Sequence, residues 1–275
     1  MAQPAERMAP RGDGVAAAMP ALYDAYYRSS DYRRRYPKPN RATLDLLFAQ
    51  GAQGARNILD FGCGNGRYTL PLLQRTAARI SAYDISRGAL DELQTALEGL
   101  AGAERVTTIH GDPAQLDAGG PYDLVLLLFG VLSHIGNRAE RMAALHRLRR
   151  LTADGGRLIL SVPNILRRRP VEVVRAALRR VAGTAEPTLA EPGDIVFRRR
   201  IASAERQFFY HLYSAGSLRD ELHEAGFRVL MQRPESLLPE WAVTQSDRVG
   251  AVDAALVRWL PASLGYCMSV VAEPA

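Results

Sequence analysis

Residues 57–66 read Asn-Ile-Leu-Asp-Phe-Gly-Cys-Gly-Asn-Gly: a short apolar run, an acidic residue and three glycines at every second position. An amphipathic segment, Arg67 to Leu73, begins at once. This pattern predicts a buried strand over 57–61, a tight turn, and a helix over about 66–77. Glycine in such a turn permits positive φ and offers bare backbone to a ligand. The start of the following helix leaves N–H groups without intrahelical partners. A polar ligand is therefore expected here. The spacing departs from the dinucleotide fingerprint G-x-G-x-x-G, in which the third glycine packs helix on strand beneath a pyrophosphate. Here the third glycine comes one residue early, and Arg67 stands in its place. Asp60 is a poor neighbour for a pyrophosphate and a good one for a cation.

From residue 57 onward, strand and helix patterns alternate, as a βαβ sheet requires. Expected strands are Ile80 to Asp84, Val106 to His110, Tyr122 to Leu128, Arg157 to Val162, Phe227 to Gln232 and Gly265 to Ala272. Expected helices start at Ser86, an N-cap residue, run over about 137–151, and span Ser214 to Ala225, closed by Gly226. Right-handed crossovers make the first strands parallel. Two stretches exceed what a minimal α/β sheet needs, about 163–213 and 233–263. Long excursions of this kind are more often functional or disordered than idle.

The segment Asp60-Phe61-Gly62-Cys63-Gly64-Asn65-Gly66 closely resembles the first motif of class I S-adenosylmethionine-dependent methyltransferases. Leu151-Thr152-Ala153-Asp154-Gly155-Gly156-Arg157-Leu158 resembles the same family's L-x-P-G-G-x-L turn, with Asp154 where proline is usual. The resemblance implies an α/β, Rossmann-like sheet of seven strands in the order 3-2-1-4-5-7-6, with strand 7 antiparallel. It also implies S-adenosyl-L-methionine as cofactor and S-adenosyl-L-homocysteine as product. On that basis Asp60, Gly62, Cys63, Gly64, Asn65 and Gly66 hold the amino-acid end. Asp84 accepts ribose hydroxyls, Ile85 packs on adenine, Asp112 and Pro113 lie near the adenine amino group, and Phe129 and Gly130 lie under the methionine moiety. In related enzymes an N-terminal segment closes over the cofactor. Tyr23, Tyr26, Tyr27, Tyr32 and Tyr36, with Arg33 to Arg35 among them, are read as such a lid or as an exposed amphipathic helix. The expected organisation is a disordered tail over 1–20, a helical lid over 21–56 and the methyltransferase domain over 57–275, with its two insertions.

Composition narrows the class. The chain has 275 residues and no apolar run of the roughly 18 residues that a membrane span needs. Residues 1–20 lack the ordering of a signal peptide, with Pro10 and Pro20 bracketing a short alanine run, so a cytoplasmic enzyme is expected. Two cysteines, Cys63 and Cys267, leave no disulfide framework, all-cysteine metal site or iron–sulfur motif; no metal is expected. The net charge of +6 is clustered in the triplets Arg33–Arg35, Arg167–Arg169 and Arg198–Arg200. Such patches attract phosphates or nucleic acid, or are simply solvated surface.

Methyl transfer from a sulfonium is an in-line displacement in which the cofactor carries the activation. An oxygen or nitrogen acceptor must still lose a proton, so a nearby base can help. His134, following strand four, is one candidate, or it is a packed helix-start histidine. Phe208-Phe209-Tyr210-His211-Leu212-Tyr213 is the second: an acceptor wall with His211 as base, Tyr210 beside it and Tyr213 lining the substrate, or core packing. The expected acceptor is a small molecule or biosynthetic intermediate. An alternative is transfer RNA, because Gly193 to Val196 with Tyr210 to Tyr213 weakly resembles the wobble-uridine tRNA methyltransferases. There the tryptophan expected after Val196 is replaced by Phe197. A second alternative is a cofactor-binding regulator without turnover.

Overall fold

The computed structural model describes residues 18–184, 189 and 191–275. Five strands run parallel: β1 (Asn57–Phe61), β2 (Arg79–Asp84), β3 (Val106–His110), β4 (Tyr122–Leu127) and β5 (Thr152–Pro163). Two more, β8 (Phe227–Ser236) and β9 (Cys267–Pro274), complete a sheet of order β3-β2-β1-β4-β5-β9-β8, with β9 antiparallel to both neighbours. This is the order and sense that the resemblance implied. The numbers shift by two because a separate antiparallel hairpin, β6 (Asp194–Ile201) and β7 (Ala204–His211), interrupts the series.

The central strands are apolar on both sides because helices cover both faces. Leu59, Val125, Leu127, Leu158 and Leu160 point to one side and pack under α7 (Arg138–Leu151) and α9 (Ala215–Glu224). Ile58, Ile80, Leu124, Leu126 and Ile159 point to the other, under α3 (Arg41–Ala49), α4 (Thr69–Arg75) and α5 (Arg87–Leu97). Ser86 caps α5 as expected, its hydroxyl accepting from the Ala89 N–H at 3.1 Å. The expected helix over 66–77 is shortened to α4, because the glycine turn runs on through Tyr68 and the chain straightens after Arg75.

The insertions are structured. The first carries α8 (Pro170–Val181) and the β6–β7 hairpin. The second carries α10 (Glu240–Gln245) and α11 (Asp247–Leu256), and β8 runs on into it as far as Ser236. At the N-terminus, α1 (Met19–Arg28) and α2 (Asp31–Arg35) bring Tyr26, Tyr27 and Tyr32 against Phe197, Phe208 and Tyr210 of the hairpin. The tail assigned to 1–20 is therefore too long: Met19 and Pro20 open α1, and Met19 is buried. Residues 1–17 lie outside the described part. Among the described residues, no helix is long and apolar enough to cross a membrane.

Candidate active site

The C-terminal ends of β1, β2 and β4 open into a cavity of about 300 Å³, where an open α/β sheet offers its ligand crevice. The glycine turn forms its floor. Gly62 and Gly64 have φ of +83° and +56°. A Cβ at Gly62 would collide with Val131 of α6 (Val131–His134), and one at Gly64 with the Tyr27 hydroxyl. The turn must thus be glycine for close approach as well as for φ.

Two carboxylates converge on this floor. Asp84 is buried and accepts from the Gly64 N–H and the Ser86 N–H, both at 2.8 Å. Asp60 is buried and accepts from the Thr69 hydroxyl at 2.7 Å. Burial pushes each carboxyl up to about 6, and the nearby Asp84 adds to the effect on Asp60. A cation bound between them would reverse the shift, because opposite charge favours the ionised form.

Arg67 is the residue that the sequence pattern did not mark as part of a site. Its guanidinium lies against the Phe129 ring, 4.6 Å from its centroid, and pairs through Nη2 with Glu240 of α10. Asn40 Nδ2 donates to the same glutamate at 2.9 Å. Arg67 Nε and Nη1 are buried without hydrogen-bond partners among the described residues, and Arg67 lines the cavity. Unpaired buried donors on a cation are costly, so these two nitrogens suit a ligand carboxylate.

The roof is α1. Asp24 accepts from the Ser86 hydroxyl at 2.7 Å and the Gly88 N–H at 2.9 Å, docking α1 on the start of α5. Tyr23, Tyr27 and Tyr32 line the cavity from above. Tyr23 also meets His134: its hydroxyl lies 2.7 Å from His134 Nε2, while Nδ1 lies 3.0 Å from the Phe209 carbonyl. A carbonyl only accepts, so Nδ1 carries the proton and Nε2 accepts from Tyr23. Burial, aided by Arg199, pushes the His134 imidazole down to about 3. It stays neutral and holds the Tyr23 O–H in place.

The structure brings together Tyr23, Tyr27, Asp60, Gly62, Cys63, Asp84, Ile85, Phe129 and His134 around one cavity. Gly64 and Gly66 shape the turn from behind. Gly130 adopts φ of +77° between β4 and α6 and donates to the Ser161 carbonyl at 2.9 Å.

Other expectations need correction. Asn65 turns away, donating to Glu92 at 3.1 Å, and lines an outer groove together with Tyr36. Tyr36 is buried edge-on against Phe129, its centroid 4.7 Å away. Asp112 is exposed and caps the turn that Pro113 opens, accepting from the Ala114 N–H at 2.9 Å; neither reaches the cavity wall. Tyr210 stands behind His134, with ring centroids 4.3 Å apart, and its hydroxyl accepts from Arg168 at 3.1 Å.

His211 and Tyr213 lie elsewhere altogether. His211 Nδ1 donates to Asp194 at 2.7 Å, and the Tyr213 hydroxyl donates to Glu221 at 2.8 Å. Glu191, His211 and Glu221 have ligand-type atoms within 4.8 Å of one another. The fully buried Arg141 already supplies the positive charge there, pairing with both glutamates. The cluster is a buried ionic tie between α7, α9 and the hairpin.

With the geometry set, likeness to known proteins is informative. The sequence profile of a family described as "Methyltransferase domain" matches residues 32–232. The chain belongs to this family. A protein of Encephalitozoon cuniculi, itself assigned only provisionally as a methyltransferase, is 28% identical over 212 residues, covering 76% of this chain and 86% of that one. Among solved structures, the CcbJ methyltransferase of Streptomyces caelestis superposes with a TM-score of 0.59 at 17% identity, over 86% of this chain and 91% of that one. The glycopeptide N-methyltransferase MtfA, complexed with S-adenosyl-L-homocysteine, gives 0.57 at 16% identity, over 86% and 90%. At such identities the structural likeness speaks for the fold, and the methyltransferase assignment rests on the family match.

Proposed function

We propose that this methyltransferase transfers a methyl group from S-adenosyl-L-methionine to an oxygen or nitrogen of a small-molecule acceptor, leaving S-adenosyl-L-homocysteine. The observation that carries the reading is the pairing of two buried carboxylates with a buried, half-satisfied arginine around a backbone-bare turn. The cofactor has a ribose diol, an ammonium, a sulfonium and a carboxylate, and this donor and acceptor set matches them. In this reading Asp84 takes the ribose hydroxyls, Asp60 faces the ammonium, and Arg67 takes the carboxylate through Nε and Nη1. Ile85, at the rim, covers adenine.

When bound, the cofactor supplies an activated methyl, so the protein's part is alignment and dryness. The helices α1 and α2 act as the lid that excludes water. His134 fixes the Tyr23 hydroxyl, whose free lone pair accepts from the O–H or N–H of the acceptor and turns its nucleophilic lone pair toward the methyl. With its imidazole held down to about 3, His134 is a positioning residue and not the base: the proton that the acceptor must give up once its oxygen or nitrogen has bonded the methyl carbon passes to water when the roof opens. A small acceptor is favoured over transfer RNA because Met19, Tyr23 and Tyr27 of α1 and Tyr32 of α2 cover the cavity, leaving a pocket rather than an open groove.

The test is to incubate the protein with methyl-labelled cofactor and cell extract, then separate label by molecular size. Label in a small-molecule fraction, lost in Tyr23→Phe, supports the reading. Label confined to RNA would replace it with the tRNA alternative. Tight cofactor binding with no label in any fraction would favour a regulator.

A further inference from the structure

The first insertion carries a surface that the described residues leave uncovered. α8 buries Ala176 and half-buries Val173 against the hairpin side, and Arg180 Nη1 donates to the Glu191 carbonyl at 2.6 Å. On the opposite side Val171, Val174, Leu178 and Val181 are 63%, 58%, 64% and 89% exposed. Their spacing of three, four and three residues sets them in one line along the helix. A soluble helix ordinarily turns such a stripe inward, so a contiguous exposed one marks an interaction surface.

The charges around the stripe indicate what covers it. Residues 164–184 contain six arginines and one acidic residue, Glu172, whose carboxylate is already paired with Arg169 at 3.0 Å. Arg175 and Arg179 are exposed beside the stripe. At the foot of α8 the exposed Arg167 donates through Nη1 to the Leu264 carbonyl at 2.7 Å. This tie sets a second segment, with the exposed Leu264, beside the exposed Leu166. A second copy of the same face would set arginines against arginines, which opposes self-association through a two-fold interface. An apolar line edged by guanidinium groups fits the boundary of an anionic bilayer. Acyl chains would receive the stripe, and lipid phosphates the arginine forks.

We propose that α8 is a membrane-surface anchor, lying in the headgroup region of an anionic bilayer with Val171, Val174, Leu178 and Val181 inserted and Arg167, Arg175 and Arg179 on lipid phosphates. With 12 residues it lies in the plane of the surface, since spanning takes about 20. The same insertion carries Phe208 and Tyr210 toward the roof of the cavity, so the anchor holds the catalytic domain close to the lipid. The inference does not depend on the identity of the acceptor.

The experiment is cosedimentation of the full chain with vesicles of phosphatidylglycerol mixed into phosphatidylcholine, and with phosphatidylcholine alone. Binding is expected on the anionic vesicles and not on the neutral ones. The double variant V174D/L178D alters only exposed positions, and it should lower partitioning by at least about tenfold while cofactor affinity stays at the wild-type value. R175E/R179E should also release the protein. No binding to anionic vesicles overturns the proposal. So does unchanged binding of V174D/L178D alongside loss in R175E/R179E, which would describe a general polyanion surface such as one for nucleic acid. Sedimentation equilibrium showing a wild-type dimer that V174D/L178D dissociates would assign the stripe to a second copy and equally overturn it.

Discussion

Replacing Asp84 with alanine removes the group on which the floor of the site and the proposed ribose contact both depend. Its two oxygens accept from Gly64 and Ser86 at 2.8 Å, and each keeps a lone pair for a ribose hydroxyl. Hydrogen bonds to a charged group contribute about 1.5–3 kcal/mol each. Two of them at the lower end make about 3 kcal/mol, or roughly two decades in Kd. The same change leaves two buried N–H groups unpaired at about 1–3 kcal/mol each, so the melting temperature falls and binding must be measured well below it. Titration calorimetry with S-adenosyl-L-homocysteine above pH ~7, where the carboxylate is ionised, gives the main reading. A 2′,3′-dideoxy analogue gives the control. The dideoxy compound should bind wild type weakly and lose little further in Asp84→Ala. A Kd for the natural compound within about threefold of wild type would refute the ribose assignment. Equal losses for both compounds would trace the effect to a damaged turn.

The remaining predictions follow from the same geometry. Asp60 and Asp84 are raised to about 6, and their proposed roles require the ionised form, so affinity for the cofactor should fall as pH drops through about 6 and level off above. For the free protein the sign is opposite: the folded state keeps these protons longer than the unfolded one, so their contribution to stability is greatest near pH 4 and declines as pH rises to about 6; thermal melts across that range check it. Arg67→Met should weaken cofactor binding by roughly tenfold to a hundredfold, as loss of a charge-assisted pair implies, and a derivative with an esterified carboxylate should be insensitive to the change. His211→Ala removes the buried hydrogen bond to Asp194 and should cost about 1–3 kcal/mol in denaturant unfolding, while methyl transfer per folded molecule stays near wild type; selective loss of turnover would return His211 to the site.

The sheet was legible because its strands are short, apolar on both faces and bounded by glycine or polar turns. β1 and β3 fall on the expected residues, and β4 differs by one residue at its end. The hairpin was not legible as a unit, since its four arginines and a consecutive aromatic run suit a surface loop as well as a strand. Within it, the two-residue period decides the outcome. Phe208 and Tyr210 face α1, so Phe209 and His211 must face away, and a cluster read as one wall divides between two surfaces. Candidate site residues at the strand ends, Asp60 and Asp84, declare themselves by position. Arg67 does not, because its partner Glu240 lies 173 residues away in an insertion whose local pattern carries no trace of that contact. Tyr27 over Gly64 is a similar case: the glycine predicts a close approach but not by whom.

The Asp24 bridge has a further consequence. Asp24 holds the Ser86 hydroxyl while Asp84 holds the Ser86 backbone N–H, so roof and floor share one residue. A cofactor that steadies Asp84 also steadies the seat of α1, and by reciprocity a seated α1 lengthens the cofactor's stay. The spent cofactor would be trapped by the same linkage, and roof opening rather than the displacement would then pace turnover. Viscosity and acceptor-independent kcat, more than any pH profile, would be the marks of such an enzyme.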